Sequence, residues 1–178
     1  MIEILTDMGL LTQPLIDLET VQMAGVALGA PATGVPIHRI VSAQFPTVAR
    51  HWDGIGLDGE YFDSDNRPMT LEDVVAATTE ADGFLHCGDQ LAYKVQTGRV
   101  VGFAISGSHL SHFAHLTTYD QMLAAFGQPD RIREAGAYGD LVTYGNYYRA
   151  ARKQVRWNEL ERRVDLINLG AFEELSGP

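Results

Sequence analysis

Three histidines at a regular spacing form the segment of the sequence that is best suited to chemistry. His109, His112 and His115 recur at every third position, and imidazole is the commonest metal ligand among protein side chains. The spacing matches neither the HExxH motif of zinc proteases nor a zinc finger. One interpretation is a small metal-dependent hydrolase that uses this segment, and the other is a polar connection between two elements. We expect the connection, and we predict no bound metal or cofactor.

Candidate nucleophiles offer little support for catalysis. Cys87 is the single cysteine and follows His86, but neighbouring side chains on a strand point to opposite faces, so the two cannot pair. Ser106 lacks the flanking glycines of the GxSxG nucleophile motif. The sequence also contains neither a Walker A motif nor GxGxxG. We therefore predict a buried, unreactive cysteine and no catalytic residues.

Acidic and aromatic residues are interleaved over residues 52–65. A solvated loop would explain this composition, and Asp58-Gly59 is a hairpin-turn signal. The functional interpretation is a binding patch, in which rings supply contact area and carboxylates attract a basic partner. We assign the patch to protein binding, with the residues Trp52, Asp53, Asp58, Glu60, Tyr61, Phe62, Asp63 and Asp65.

The net charge of −10 comes entirely from the first half of the chain. Residues 1–90 hold 14 acidic and three basic residues, whereas residues 91–178 hold nine acidic and ten basic ones. This balance argues against direct binding to nucleic acid or to anionic lipid, because both require clustered positive charge. The expected partner is therefore a protein with a basic surface.

Composition and length predict one soluble globular domain over residues 1–178. Hydrophobic residues make up 46% of the chain and charged residues 20%, which is typical of folded proteins. No apolar run approaches the roughly 18 residues that a membrane span requires. The first residues carry acids where an export signal would carry Lys or Arg. We therefore expect a cytoplasmic protein without a membrane partner.

Helix signals occur three times along the chain. Apolar spacing predicts a helix at 117–126, with Thr117 or Thr118 as its N-cap and Gly127 after its last residue. A second helix is expected at 70–80, where Thr70 and Asp73 form an approximate capping box. A third is expected at 14–28, because its Leu-Gly-x-Pro ending matches the Phe-Gly-x-Pro ending of the first.

Strand-like segments follow each of these helix signals. The segment beginning at Gly88-Asp89 parallels the one beginning at Gly139-Asp140, and a turn is expected at Thr97-Gly98. These similarities predict two or three repeats at about 15–65, 69–107 and 117–170. The predicted fold class is α+β: repeated helix–strand–strand modules form an antiparallel sheet, with the helices packed on one face.

The other face of such a sheet can remain exposed to water. Residues 139–170 are expected to form the longest hairpin of this sheet. We predict that its outer face carries rings and arginines suited to protein docking, and we assign Tyr147 and Tyr148 to partner binding. The full set is Tyr144, Tyr147, Tyr148, Arg149, Arg152 and Trp157.

The order of helix, Gly-x-Pro ending and antiparallel meander resembles the small modules of outer-membrane-assembly lipoproteins. It is also similar to β-lactamase inhibitory proteins, which are tandem copies of such a unit and bind an enzyme on a concave sheet. Trp52-Asp53-Gly54-Ile55-Gly56 resembles bacterial domains that are encoded beside polymorphic toxins as immunity proteins. Unlike the exported families, this sequence has no lipobox, signal peptide or disulfide.

The resemblance implies a cytosolic immunity protein that binds a cognate toxin enzyme and blocks its active site. Nucleases and NAD-consuming toxins fit this role, because their anionic substrates require a basic cleft. The carboxylates of the 52–65 patch would then stand in for substrate phosphates.

Overall fold

A computed structural model describes residues 1–45, 61–62, 65, 67–77 and 82–172. The chain divides into two compact units. The first unit combines Met1–Gly25 with the chain from Ala104 onward, and the second is Val26–Phe103. Within the described ranges, no helix is both long and apolar enough to cross a membrane.

Strands account for 44% of the structure and helical turns for 23%. The strands are β1 (Ile2–Glu3), β2 (Val21–Met23), β3 (Val26–Ala27), β4 (Ile40–Gln44), β5 (Tyr61–Phe62), β6 (Pro68–Met69), β7 (Gly83–Cys87), β8 (Leu91–Gln96), β9 (Arg99–Ser106), β10 (Arg131–Ala137), β11 (Asp140–Tyr148), β12 (Lys153–Asn158) and β13 (Arg163–Gly170). The α-helices are α1 (Leu71–Ala77) and α2 (Tyr119–Phe126), and 3-10 turns cover Met8–Thr12, Leu18–Thr20, Ala32–Gly34, Ile37–Arg39 and Gly107–Phe113.

The predicted α+β class with helix-packed repeats is wrong, because the protein is mainly β. A large antiparallel sheet of eight strands dominates the described residues, and the two α-helices have only seven and eight residues. The expected helix at 14–28 is absent from this described stretch. A 3-10 turn at Leu18–Thr20 and the short strands β2 and β3 take its place. The proposed 15–65 repeat therefore does not begin with a helix.

Side-chain periodicity explains why 14–28 is not helical. Val21 and Met23 are buried on either side of the partly exposed Gln22, which is the two-residue alternation of a strand. Ala24 and Gly25 then adopt positive φ angles of 50° and 79°, which end β2 in a turn. The Gly-x-Pro ending that this segment shares with 117–129 is a chain-reversal signal, and it does not require a preceding helix.

The other two helix predictions are confirmed for the described residues, although positions 78–80 of the second helix lie outside them. Local capping explains both helices. The Thr118 hydroxyl accepts a hydrogen bond from the Gln121 N–H at 3.2 Å, and the Gln121 side chain accepts one from the Thr118 N–H. Thr70 and Asp73 exchange the same pair of bonds at 3.0 and 3.2 Å. Gly127, with a φ of 86°, ends α2 as expected.

The first unit contains the meander β10-β11-β12-β13, in which consecutive strands are antiparallel neighbours. A two-residue turn at Tyr138-Gly139 joins β10 to β11, with φ angles of 55° and 86°. Positive φ at both central residues is the geometry of a type I′ hairpin turn. One face of the meander packs against α2, where the Tyr119 ring stacks on Tyr144 at 4.5 Å between centroids.

The second unit contains the strands β4-β7-β8-β9 in that order. The turn at Thr97-Gly98 between β8 and β9 is confirmed, with φ angles of 46° and 76°. The core of the unit includes fully buried Leu85, Tyr93 and Phe103, and the last two pack edge to face at 6.0 Å. β9 extends to Ser106, so its last three residues belong to the first unit.

Candidate protein-binding surface

Most of the predicted 52–65 patch lies outside the described residues, including Trp52, Asp53, Asp58, Glu60 and Asp63. The remaining members are placed as follows. Tyr61 and Phe62 form β5, which pairs antiparallel with β6, and Asp65 lies exposed in a turn. The binding role of this patch remains a prediction.

Tyr147 and Tyr148 are buried, with 3% and 8% of their surfaces exposed. The Tyr148 hydroxyl donates to the Gly127 carbonyl at 2.9 Å, and burial raises the pKa of this phenol. On the opposite face of β11, the Tyr147 hydroxyl accepts a bond from Gln154 at 3.2 Å. The prediction that both tyrosines are exposed for docking is wrong, because successive residues of a strand face opposite sides and both sides are packed here.

The outer face of the meander is polar rather than aromatic. Trp157 is 1% exposed, and its indole N–H donates to Glu159 at 2.7 Å. The outer face instead holds ion pairs and amide contacts. Arg156 Nε donates to Asp165 Oδ1 at 2.6 Å, and the neighbouring Asn158 donates to the other oxygen of Asp165 at 3.0 Å. The expected ring-rich docking face is therefore absent from the described meander.

One end of the meander presents two exposed apolar side chains. Tyr138 is fully exposed in the β10–β11 turn, and Leu160 is 70% exposed in the β12–β13 turn. These turns lie at the same end because consecutive strands run in opposite directions, and the Glu159 N–H connects them by donating to Val142 at 2.8 Å. Asp140 and Glu161 are exposed at this end too. We call the pair of turns, 138–139 and 159–162, the turn end.

The exposure of Tyr138 is unusual for a side chain of its size. Large exposed rings held on a rigid turn are typical anchors of protein interfaces, because little conformational freedom is lost on binding. The sequence contained a signal for this position, since Tyr138-Gly139 interrupts two strand-like segments. Sequence reasoning nevertheless assigned the docking role to tyrosines of the strand that follows.

The histidine segment forms the 3-10 turn Gly107–Phe113. Residues three apart are eclipsed in a 3-10 helix, so His109 and His112 lie on one side of it. His115 follows the turn, and its Nδ1 lies 3.1 Å from the His112 carbonyl oxygen. The two aligned histidines border an open cavity of about 480 Å³, lined by Leu5, Thr6, Asp7, Met8, Gly9, His109, Ser111 and His112.

This cavity is polar, and Asp7 and Ser111 line it together with the two histidines. Among the described residues, no group of three or more His, Cys, Asp or Glu side chains is arranged to hold a metal ion. Cys87 is buried on β7, and burial raises the pKa of its thiol to about 11. A protonated thiol is a poor nucleophile at neutral pH. The prediction that Cys87 is buried is thus confirmed.

Lys153 is a charged residue that sequence reasoning missed. It is fully buried on β12, where its ammonium group donates to the carbonyls of Leu11 at 2.6 Å and Gln13 at 3.0 Å. The rings of Phe126 and Tyr148 lie 5.5 and 5.0 Å from Nζ. Lys153 satisfies carbonyls at the end of the Met8–Thr12 turn, so its role is structural. The sequence did contain a signal for its burial: the alternation Lys-x-Val-x-Trp in β12 places Lys153 on the same face of the strand as Val155 and Trp157.

A second structural cluster lies in the second unit. The Arg39 guanidinium pairs with Asp89 at 3.1 Å and sits 5.6 Å from the centre of the Tyr93 ring. Burial raises the pKa of Tyr93 to about 12, and the neighbouring Arg39 opposes that rise. These groups connect the Ile37–Arg39 turn to β8 and to the turn that precedes β8.

Comparisons with family models, with curated proteins and with solved structures found no match for this chain.

Proposed function

We propose that this chain is an immunity protein that binds a bacterial toxin enzyme and blocks its active site. The observation that carries the proposal is the turn end, where Tyr138 and Leu160 protrude together from one antiparallel meander. The toxin would be an enzyme with a basic cleft, such as a nuclease or an NAD-consuming enzyme.

Tyr138 supplies the anchor in this scheme. Its turn is short and bounded by paired strands, so the backbone that carries the ring already has its turn geometry before binding. A tyrosine that enters an apolar pocket buries about 150–250 Å² and dominates the energy of a small interface. Leu160 adds apolar contact beside it.

The charge distribution supports the same kind of partner. Residues 1–90 hold 14 acidic and three basic residues, a net charge of −11. At the turn end, exposed Asp140 and Glu161 are balanced by Arg162 and Arg163, and Glu161 pairs with Arg163. Opposite net charges accelerate association, to about 10⁸–10⁹ M⁻¹s⁻¹ in favourable cases at low salt. We propose that the 52–65 carboxylates lie against cationic groups that normally bind substrate phosphates.

Co-expression with the product of the gene immediately upstream tests the function. We expect that product alone to arrest growth and this chain to restore growth, with the two purified proteins forming a complex. A harmless upstream product, or a toxic one that neither binds this chain nor is relieved by it, would contradict the proposal. Circular dichroism of the purified chain verifies that it is folded in the binding assay.

A further inference from the structure

We propose that the outer edge of β10 binds an extended protein segment with alternating acidic and apolar residues, by adding it as a further strand. This inference does not rest on the proposed immunity function, because it concerns a different surface of the first unit and a partner of opposite charge.

The edge of β10 is available for pairing. Within the described part of the chain, β10 is hydrogen-bonded to β11 alone and stands last in the strand order. An edge strand directs alternate N–H and C=O groups away from its neighbour, where a further strand can pair with them. All six residues from Arg131 to Gly136 are exposed, and 47% of the Ile132 side chain is accessible.

The side chains of β10 select the chemistry of the segment. Arg131 and Arg133 lie opposite Tyr147 and Gly145 of β11, so both arginines project on the outer face of the meander. Ile132 projects on the other face. An added strand would therefore place an acidic residue opposite Arg131 and an apolar residue opposite Ile132. Opposite charges in directly opposed positions stabilise the pairing of two strands.

A second copy of this chain is a poorer occupant. Two β10 strands could pair antiparallel about a two-fold axis. An axis through Arg133 or Glu134 would place that residue directly opposite the same residue of the second copy. An axis through Ile132 would place Arg131 opposite Arg133. Like charges in directly opposed positions destabilise a sheet. An axis through Ala135 avoids this repulsion, but the paired region would then include the register shift between Ala135 and Gly136, which interrupts regular pairing. The charges on β10 thus oppose self-association and favour an acidic partner.

A synthetic peptide provides a direct probe. The peptide alternates Val and Glu over seven residues and is blocked at both ends, and it is titrated to about 1 mM into the full ¹⁵N-labelled chain. We expect the largest amide shift changes at residues 131–136, together with slower amide hydrogen exchange there. The same peptide with Lys in place of Glu should bind at least about tenfold more weakly.

A third peptide separates strand addition from simple charge attraction. This peptide keeps all its glutamates, but alternate backbone amides, those that would face β10, carry N-methyl groups. It therefore retains its charge and cannot donate hydrogen bonds to β10. We expect this peptide to lose binding. Equal binding of the Glu and Lys peptides, equal binding of the methylated peptide, or shifts centred outside β10 would each overturn the proposal, as would no binding at all.

Matched substitutions test the assignment to Arg131. Arg131→Glu should weaken the Glu peptide about fivefold and strengthen the Lys peptide, because it replaces an attractive cross-strand pair with a repulsive one. Arg67→Glu changes the net charge equally at an exposed position outside both β10 and the turn end, and it should leave both affinities within about twofold. An equal loss in the two variants would contradict a specific role for β10.

Discussion

Lys153 illustrates how a single residue can couple the stability of the protein to pH. Its side chain is fully buried and is satisfied by two carbonyls rather than by a carboxylate. Burial lowers the pKa of its ammonium group from 10.5 to about 8, because the charged form loses its hydration. Below pH 8 both the folded and unfolded states carry the proton, and the full energetic penalty of the buried charge is present.

Between pH 8 and 10.5 the unfolded chain keeps this proton while the folded chain releases it, so the contribution of Lys153 to stability rises with pH. We expect the unfolding free energy of the wild type, relative to Lys153→Met, to increase by up to about 3 kcal/mol across this window. Urea unfolding of both proteins at several pH values measures it. Groups that the two proteins share cancel in this difference, and a pH-independent difference would exclude the perturbed pKa of Lys153.

Tyr138 carries the prediction for toxin binding at the residue scale. Tyr138→Ala removes the exposed ring, so we expect the dissociation constant for the toxin to rise about 10–100-fold, the range of a typical hot spot. Leu15→Ala is the matched control, because Leu15 is 69% exposed in the same unit but lies outside the turn end. Isothermal titration calorimetry with both variants distinguishes the effects. Similar small changes in the two would remove Tyr138 as the anchor.

At the scale of elements, the approach of β4 to β7 depends on a glycine. A Cβ atom at Gly83, the first residue of β7, would lie 2.0 Å from the Gln44 carbonyl oxygen and 2.5 Å from the Phe45 ring. Backbone atoms cannot move aside as a flexible side chain does. The close pairing of these strands therefore excludes every side chain at this position.

We expect Gly83→Ala to reduce the unfolding free energy by about 2 kcal/mol or more, as overpacking does in other cores. Gly34→Ala is the control, because a Cβ there meets no atom within 4 Å, and its effect should stay within about 0.5 kcal/mol. Thermal or urea unfolding of both variants measures the difference. Equal stabilities would mean that the strands can separate without loss.

The elements also show which patterns could be predicted. Helices α1 and α2 were recognised because Thr70 and Thr118 form capping contacts within three residues of themselves. The tight turns at Thr97-Gly98 and Tyr138-Gly139 likewise depend on local backbone preferences. The 14–28 segment resembles α2 only in its Gly-x-Pro ending, whereas the alternation of buried Val21 and Met23 is that of a strand.

At the scale of the whole molecule, the acidic excess of residues 1–90 leads to a kinetic prediction. Asp58→Lys combined with Asp65→Lys should slow association with the toxin at least about tenfold and flatten its dependence on salt, if these carboxylates steer encounter. Asp7→Lys combined with Glu72→Lys changes the net charge equally at exposed positions elsewhere. Stopped-flow association rates at several salt concentrations compare the pairs, and identical rates would eliminate steering by the 52–65 patch.

The sequence by itself determined the features that depend on neighbouring residues: the caps of α1 and α2, the glycine-containing turns and the uneven charge. Tertiary structure decided which side chains are buried and which are exposed. The burial of Tyr147, Tyr148 and Lys153, and the exposure of Tyr138 and the β10 edge, follow from strand register and from what packs on each face. Those contacts join residues distant in sequence, so local patterns do not contain them.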